Sequence, residues 1–223
     1  MLENIKLFAT DNDRSTYEDS ENYIEPYVSL VEGDNSVHYN KAVIETKLVV
    51  YYDIQDISAP TTIFTNYDNS VKSIEVDGEL LDSVVTTYQF DSIGEHMIKY
   101  EFNDPTTVGN SAPLFYNLTT VKRVIIPNTF TTIGSNAFNG CSNLTSVTIG
   151  SGITTIGQSA FYNCSGLISI TIEATTPPRL VDDNAFNSTN DYPIYVPESS
   201  VTTYKHANVW SYLSNRIQAI PTT

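Results

Sequence analysis

Residues 133–149 read I-G-S-N-A-F-N-G-C-S-N-L-T-S-V-T-I, and residues 156–172 read I-G-Q-S-A-F-Y-N-C-S-G-L-I-S-I-T-I. Aligned, Ile133 falls on Ile156, Phe138 on Phe161, Cys141 on Cys164, Leu144 on Leu167 and Ile149 on Ile172, always at an offset of 23 residues. A fixed step of this size is the signature of a chain wound into stacked coils. One coil cannot bury its own apolar edge, whereas several stacked coils bury it against one another.

The segments L-T-S-V-T-I and L-I-S-I-T-I are β-branched and apolar at their first, fourth and sixth positions, the strand pattern of a leucine-rich repeat. Alternation along a strand turns Leu144, Val147 and Ile149 inward and Ser146 and Thr148 outward. G-S-G after Ile149 is expected to turn the chain through the positive φ that glycine tolerates. A-F-x-x-C then returns on the other side as a short helix or turn, with phenylalanine pointing inward. Stepping back by 23 finds a degenerate coil at Phe115, Leu118, Val121, Val124 and Ile126. Going forward, N-A-F returns at Asn184 to Phe186, 25 residues after Phe161, with I-Y-V-P as its strand. Four coils are expected. The chain after about residue 198, with Trp210, Tyr212, Ile217 and Ile220, is expected to close the open end as a partly helical cap.

The two repeats resemble the BspA-like class of bacterial leucine-rich repeats, and the ending I-Y-V-P-E-S-S-V-T-T-Y-K-H-A-N-V-W-S-Y-L-S-N-R-I-Q-A-I is similar to the terminal segment of many such proteins. The resemblance covers residues 108 to 223. It implies a non-enzymatic surface or secreted binding protein, of adhesive type, whose partner is a protein such as a host extracellular protein.

Before the repeats, residues 43–107 carry short alternating strands punctuated by turns, of which Asp77-Gly78 is the clearest hairpin signal. The expected strands are 43–52, 61–65, 71–76, 79–81, 84–90 and 95–102. This spacing predicts a small β-sandwich of immunoglobulin-like architecture, without paired cysteines or tryptophan. Residues 1–42 form an acidic, tyrosine-rich leader. Thr10 to Asn22 is polar enough to predict little fixed structure, and E-P-Y-V-S-L-V-E-G-D-N-S-V-H-Y-N reads as strand, turn, strand. The fold class expected is mainly β: leader, sandwich, then a short solenoid with a helical C-terminal cap.

Charge is divided unevenly. Up to Pro105 there are 21 acidic and 6 basic residues, and after it 5 of each, so the net charge of −15 belongs to the first half. An acidic half without a basic stripe argues against nucleic acid and anionic membranes. No apolar run reaches the roughly 18 residues of a membrane span, and the first residues as written do not have the pattern of a signal peptide. Calcium binding at the acidic surface is the specific alternative to a merely solvated one.

Little in the chain points to catalysis or a cofactor. His38, His96 and His206 lie in separate segments without metal-ligand spacing. Asp11-Asn12-Asp13 lacks the glycine and terminal glutamate of a calcium loop. Cys141 and Cys164 sit about one strand spacing apart at the same inward position, a distance that just permits a bridge, and are expected to pack as buried thiols. Asn-x-Ser/Thr triplets at Asn117, Asn143, Asn163 and Asn187 are read as turn asparagines of the repeat rather than as glycosylation sites. The candidate binding face is the outward side of the repeat strands: Arg123, Ile125, Ser146, Thr148, Ser169, Thr171 and Tyr195. Arg123 and Tyr195 are of the residue types favoured at binding hot spots. Two other readings stand beside it. One is a structural component of a larger assembly, such as a mobile-element or phage particle, docking through the acidic leader. The other is a glycan-binding module using Tyr17, Tyr23, Tyr27, Tyr39, Tyr51 and Tyr52.

Overall fold

The computed structural model describes Val28–Ser29, His38–Tyr39 and residues 46–65, 70–104, 106–109, 113–187 and 191–221 of the chain. Two compact units divide it, Met1–Ile44 and Glu45–Thr223. In the first, β1 (Val28–Ser29) and β2 (His38–Tyr39) pair antiparallel, Val28 opposite Tyr39, in the two arms of the strand–turn–strand segment. The expectation for Thr10 to Asn22 lies outside the described residues.

The second unit begins with β3 (Leu48–Ile54), β4 (Thr61–Thr62), β5 (Val71–Val76), β6 (Glu79–Leu80), β7 (Thr87–Tyr88) and β8 (Gly94–Phe102). It continues with β9 (Thr107–Val108), β10 (Val121–Ile126), β11 (Thr132–Ile133), β12 (Ser146–Ile149), β13 (Thr155–Ile156) and β14 (Ser169–Ile172). The last elements are β15 (Arg179–Leu180), β16 (Ile194–Val196), helix α1 (Val201–His206) and β17 (Ile217–Ala219). One nine-stranded sheet runs in the order β17-β16-β14-β12-β10-β3-β8-β5-β6, and a four-stranded sheet runs β15-β13-β11-β9.

A step of 23 to 25 residues sets the register of both sheets. Val124, Val147, Ile170, Ile194 and Ile217 lie side by side in five parallel strands, all buried. On the other side of each coil, Val108, Ile133, Ile156 and Leu180 align in the same way. Between the sheets, Phe115, Phe138, Phe161 and Phe186 stack with centroids 5.1, 5.3 and 5.6 Å apart and ring planes within 7° of parallel. Perpendicular or tilted rings end the stack, Tyr100 before Phe115 and Trp210 after Phe186. The edge-to-face contact of Tyr100 suits a terminal ring, whose exposed face is negative and whose neighbour's edge is positive.

Backbone bonds follow the same step. The amides of Asn117, Gly140 and Asn163 donate to the carbonyls of Asn139, Tyr162 and Asn187 in the next coil. All three donors sit in the left-handed region, at φ 58°, 78° and 57°, where asparagine and glycine are favoured. Gly150 and Gly152 have a different reason, and the positive φ expected of them is corrected. Among the described glycines only Gly78, Gly94, Gly109 and Gly140 have positive φ. A Cβ on Gly152 would lie 1.9 Å from the Asn128 carbonyl oxygen, and one on Gly150 2.6 Å from the Pro127 carbonyl carbon. These glycines let successive coils close to backbone contact.

Cys141 and Cys164 are free and buried. Each thiol donates to a carbonyl, Cys141 to Phe115 at 3.0 Å and Cys164 to Phe138 at 3.1 Å. Burial raises both thiols, that of Cys164 to about 12, so they stay protonated as these bonds require.

Two features were not anticipated. First, β3 pairs antiparallel with β10, Val50 opposite Val124, so the sheet passes without a break from the antiparallel strands into the repeats. Facing those strands across the core are the two-stranded ladder β4–β7 and the buried rings of Phe64 and Phe90. The Tyr52 and Tyr100 hydroxyls both reach the carbonyl of Ile63 and pin that layer down. Second, the repeat pattern does not stop at Pro197: β17 adds a fifth parallel strand after the helical segment. In that segment Val209 takes φ 65° in a tight turn closed by Trp210 N–H on the Asn208 carbonyl at 2.8 Å. A β-branched residue is strained there. The turn is held because the Trp210 indole donates to Pro178 O at 2.7 Å and its ring packs on Tyr204 and Phe186.

At the far end of the sheet, Asp77 and Gly78 form the predicted hairpin turn with φ of 49° and 94°. His96 fastens it. Its Nδ1 lies 2.6 Å from Asp77 Oδ2 and its Nε2 3.0 Å from the Ser92 carbonyl. Both partners are acceptors, so both ring nitrogens donate and the ring is held as imidazolium. Burial pushes the His96 pKa down. The bonds to Asp77 and Ser92 and the charges of Asp77 and Asp91 outweigh it, leaving the pKa above its ordinary value. A group with a raised folded pKa contributes stability below its unfolded pKa and loses it as pH rises through the folded one.

Two outcomes follow for stability. Leu144→Ala or Leu167→Ala empties a core position that is at most 2% exposed and should cost about 2 to 5 kcal/mol in denaturant unfolding; near-normal unfolding would contradict the coil packing. Between pH of about 6 and about 9, wild type should lose more thermal stability than His96→Gln does. Parallel pH profiles for the two proteins would refute the imidazolium contact.

Candidate binding face

The outward residues of the nine-stranded sheet form rows set by the same register. Ile125, Thr148, Thr171, Tyr195 and Gln218 make one row, and Arg123, Ser146 and Ser169 the next. All seven residues picked from the sequence therefore lie on one face, and Gln218 extends it. A further 23-residue step from Tyr195 leads to Gln218, which is the signal that could have found it. Through the β3–β10 pairing Tyr51 continues the second row, and Val49, which is buried, lies in register with the first. No local sequence signal points to that pairing.

Arg123 is not a free anchor. Its guanidinium lies 4.0 Å over the Tyr51 ring and bonds Glu95 across the sheet. Beside it Lys122 reaches Asp53 at 3.3 Å, Lys47 reaches Glu75 at 3.0 Å and Lys72 reaches Glu101 at 2.5 Å. Exposed pairs like these contribute at most about 1 kcal/mol each. Their effect here is to pair Lys122 and Arg123 of β10, and Lys47 and Lys72 of the acidic half, with carboxylates of that half. Over β12, β14 and β16 the face offers hydroxyls, the half-buried Tyr195 ring and, at its margin, Ile168, which is 67% exposed.

Among the described residues no group of three or more His, Cys, Asp or Glu is placed to hold a metal ion. A groove of about 400 Å³ runs beside the four-stranded sheet, lined by Thr132, Thr155, Asn136, Gly157 and others. A second, of about 480 Å³, lies between 177–181 and 207–210. Neither gathers a nucleophile with a base. Of the tyrosines considered for glycan binding, Tyr52 is fully buried and Tyr51 lies under Arg123. Tyr17, Tyr23 and Tyr27 are outside the described residues.

Residues 106–213 match the family model of the BspA type leucine rich repeat region, in six copies against the four coils expected. The match supports a BspA-like leucine-rich-repeat protein over this part of the chain. No curated protein matches the chain. No described helix is long and apolar enough to cross a membrane.

Proposed function

We propose that residues 106–221 wind as a leucine-rich-repeat solenoid whose outward sheet face binds a protein partner, in a surface-exposed or secreted, non-enzymatic adhesion protein. BspA-type repeats are associated in general with surface adhesion and binding, and the family match to residues 106–213 supports that class. The observation that carries the choice of face is the register. It sets Tyr195, Thr171, Thr148 and Ile125 in one row, beside Ser169, Ser146 and Arg123 in the next. A rigid sheet presenting these side chains needs little ordering on binding, which favours affinity. The partner suited to it is a protein with a flat, weakly charged surface, because the nearby cations are already paired within the chain. The antiparallel strands before the repeats serve as spacer and N-terminal cap; their immunoglobulin-like character belongs to the same proposal and rests on their antiparallel layers.

The test is surface plasmon resonance of the full chain over immobilised extracellular-matrix and plasma proteins. Arg123→Ala with Tyr195→Ala should leave the melting temperature within a few degrees of wild type and weaken binding by roughly tenfold or more. Unchanged binding by the double variant would contradict the sheet face as the site. It would favour docking through the acidic Met1–Ile44 unit instead.

A further inference from the structure

We propose that the turn side of the repeats is a second binding surface, which takes a neutral, extended glycan. It is a different surface from the sheet face and does not depend on it. From Val124 to Ile172 the chain contains no Asp, Glu, Lys, Arg or His. The exposed part of these coils is therefore kept in water by hydroxyls and amides alone. A charged partner finds nothing complementary here, whereas a polyhydroxylated neutral chain finds donors and acceptors of its own kind.

One row stands out, with Asn139 and Tyr162 inside the uncharged stretch and Tyr116 and Asn187 flanking it on either side. The residue after each stacked phenylalanine is Tyr116, Asn139, Tyr162 and Asn187 in successive coils, so aromatic and amide alternate. Tyr116 is 41% exposed, Asn187 is exposed, and Asn139 and Tyr162 are half-buried. The stacked phenylalanines next to them are 5.1 and 5.3 Å apart, so the two tyrosines sit about two coil steps, roughly 10 Å, from each other. Neither tyrosine ring packs on another aromatic ring among the described residues. A sugar chain laid along the row can place the C–H face of every second residue on a tyrosine and its hydroxyls on the amides between.

The row is also held rigid. The carbonyls of Asn139, Tyr162 and Asn187 accept the amides of the preceding coil at 2.8, 2.8 and 3.1 Å. The side chains of Asn139 and Asn187 each donate to the asparagine three residues earlier, Asn136 at 2.8 Å and Asn184 at 3.3 Å. Each amide keeps its oxygen and one N–H for a ligand. Tyr, Asn, Ser and Gly are the residues that dominate antibody binding loops, where tyrosine supplies rigid contact area at low entropic cost and the small polar residues supply hydrogen bonds. The loops A-F-N-G-C-S-N and A-F-Y-N-C-S-G are built from them.

The test is affinity electrophoresis of the full chain through gels containing hydroxyethyl cellulose, mannan, xylan or the anionic polysaccharide alginate, with salt raised to about 0.5 M in parallel runs. The variant is Tyr116→Asn with Tyr162→Asn, which places at both positions the residue that Asn139 and Asn187 already supply in their coils, so the coils should fold. The expected result is retardation in at least one neutral gel, insensitive to salt, with apparent affinity falling roughly tenfold or more for each ring removed. Retention of binding by Tyr116→Phe with Tyr162→Phe would further support stacking. The proposal is overturned by no retardation in any neutral gel, by retardation confined to alginate or abolished by salt, or by a correctly melting Asn variant that is retarded as strongly as wild type.

Discussion

The repeat part of the second unit depends on the requirement that each turn of the chain hand its backbone bonds to the next at a nearly constant step. The amides of Asn117, Gly140 and Asn163 can reach the carbonyls of Asn139, Tyr162 and Asn187 only if each coil closes on itself after nearly the same number of residues. Once that holds, equivalent side chains fall on top of one another without further instruction. The phenylalanines stack, the Val124 row fills the core, and the Ile125 row faces outward. The left-handed asparagines and the backbone-to-backbone glycines are the local conditions for this closure. A side chain on Gly152 would push two coils apart and disturb every row at once.

The row of parallel strands has two open ends, and this chain closes them differently. At the start, β3 supplies an antiparallel strand to β10, with Val49 opposite Ile125 and Tyr51 opposite Arg123. At the end, Trp210 and Tyr204 cover the last phenylalanine, and Arg216 lies 4.0 Å over the Tyr192 ring and donates to the Tyr192 carbonyl at 2.9 Å. Both solutions keep the aromatic stack dry. They also extend the outward face past the repeats, because each added strand contributes its own outward residues, Tyr51 at one end and Gln218 at the other.

The repeats were legible in the sequence because their information is periodic: one 23-residue step places Leu144 on Leu167 and predicts the inward and outward sides of each strand. The same step, taken from Ile194 and Tyr195, reaches Ile217 and Gln218. It was obscured by the helical segment between, whose aromatics read as the end of the pattern. What alternation cannot supply is the identity of a strand's neighbour. Val43 to Tyr52 reads as a buried strand whether it closes a sandwich or joins β10, and the choice is made by tertiary packing. For the same reason Arg123 looked like a free anchor, since its partners Tyr51 and Glu95 come from strands 72 and 28 residues away. The role of Gly150 and Gly152 was misjudged because a glycine's tolerance of positive φ and its lack of a side chain leave the same mark in a sequence.

Continuity of the sheet through β3 and β10 is the central claim, and native-state hydrogen exchange with mass spectrometry tests it most directly. If the sheet is one cooperative structure, amides of β3 and β8 and amides of β12 and β14 should exchange through the same global opening, with matching free energies. A lower-energy opening that exposes β3 and β8 while β10, β12 and β14 stay protected would contradict it, and would make the antiparallel strands a separate module merely adjoining the repeats.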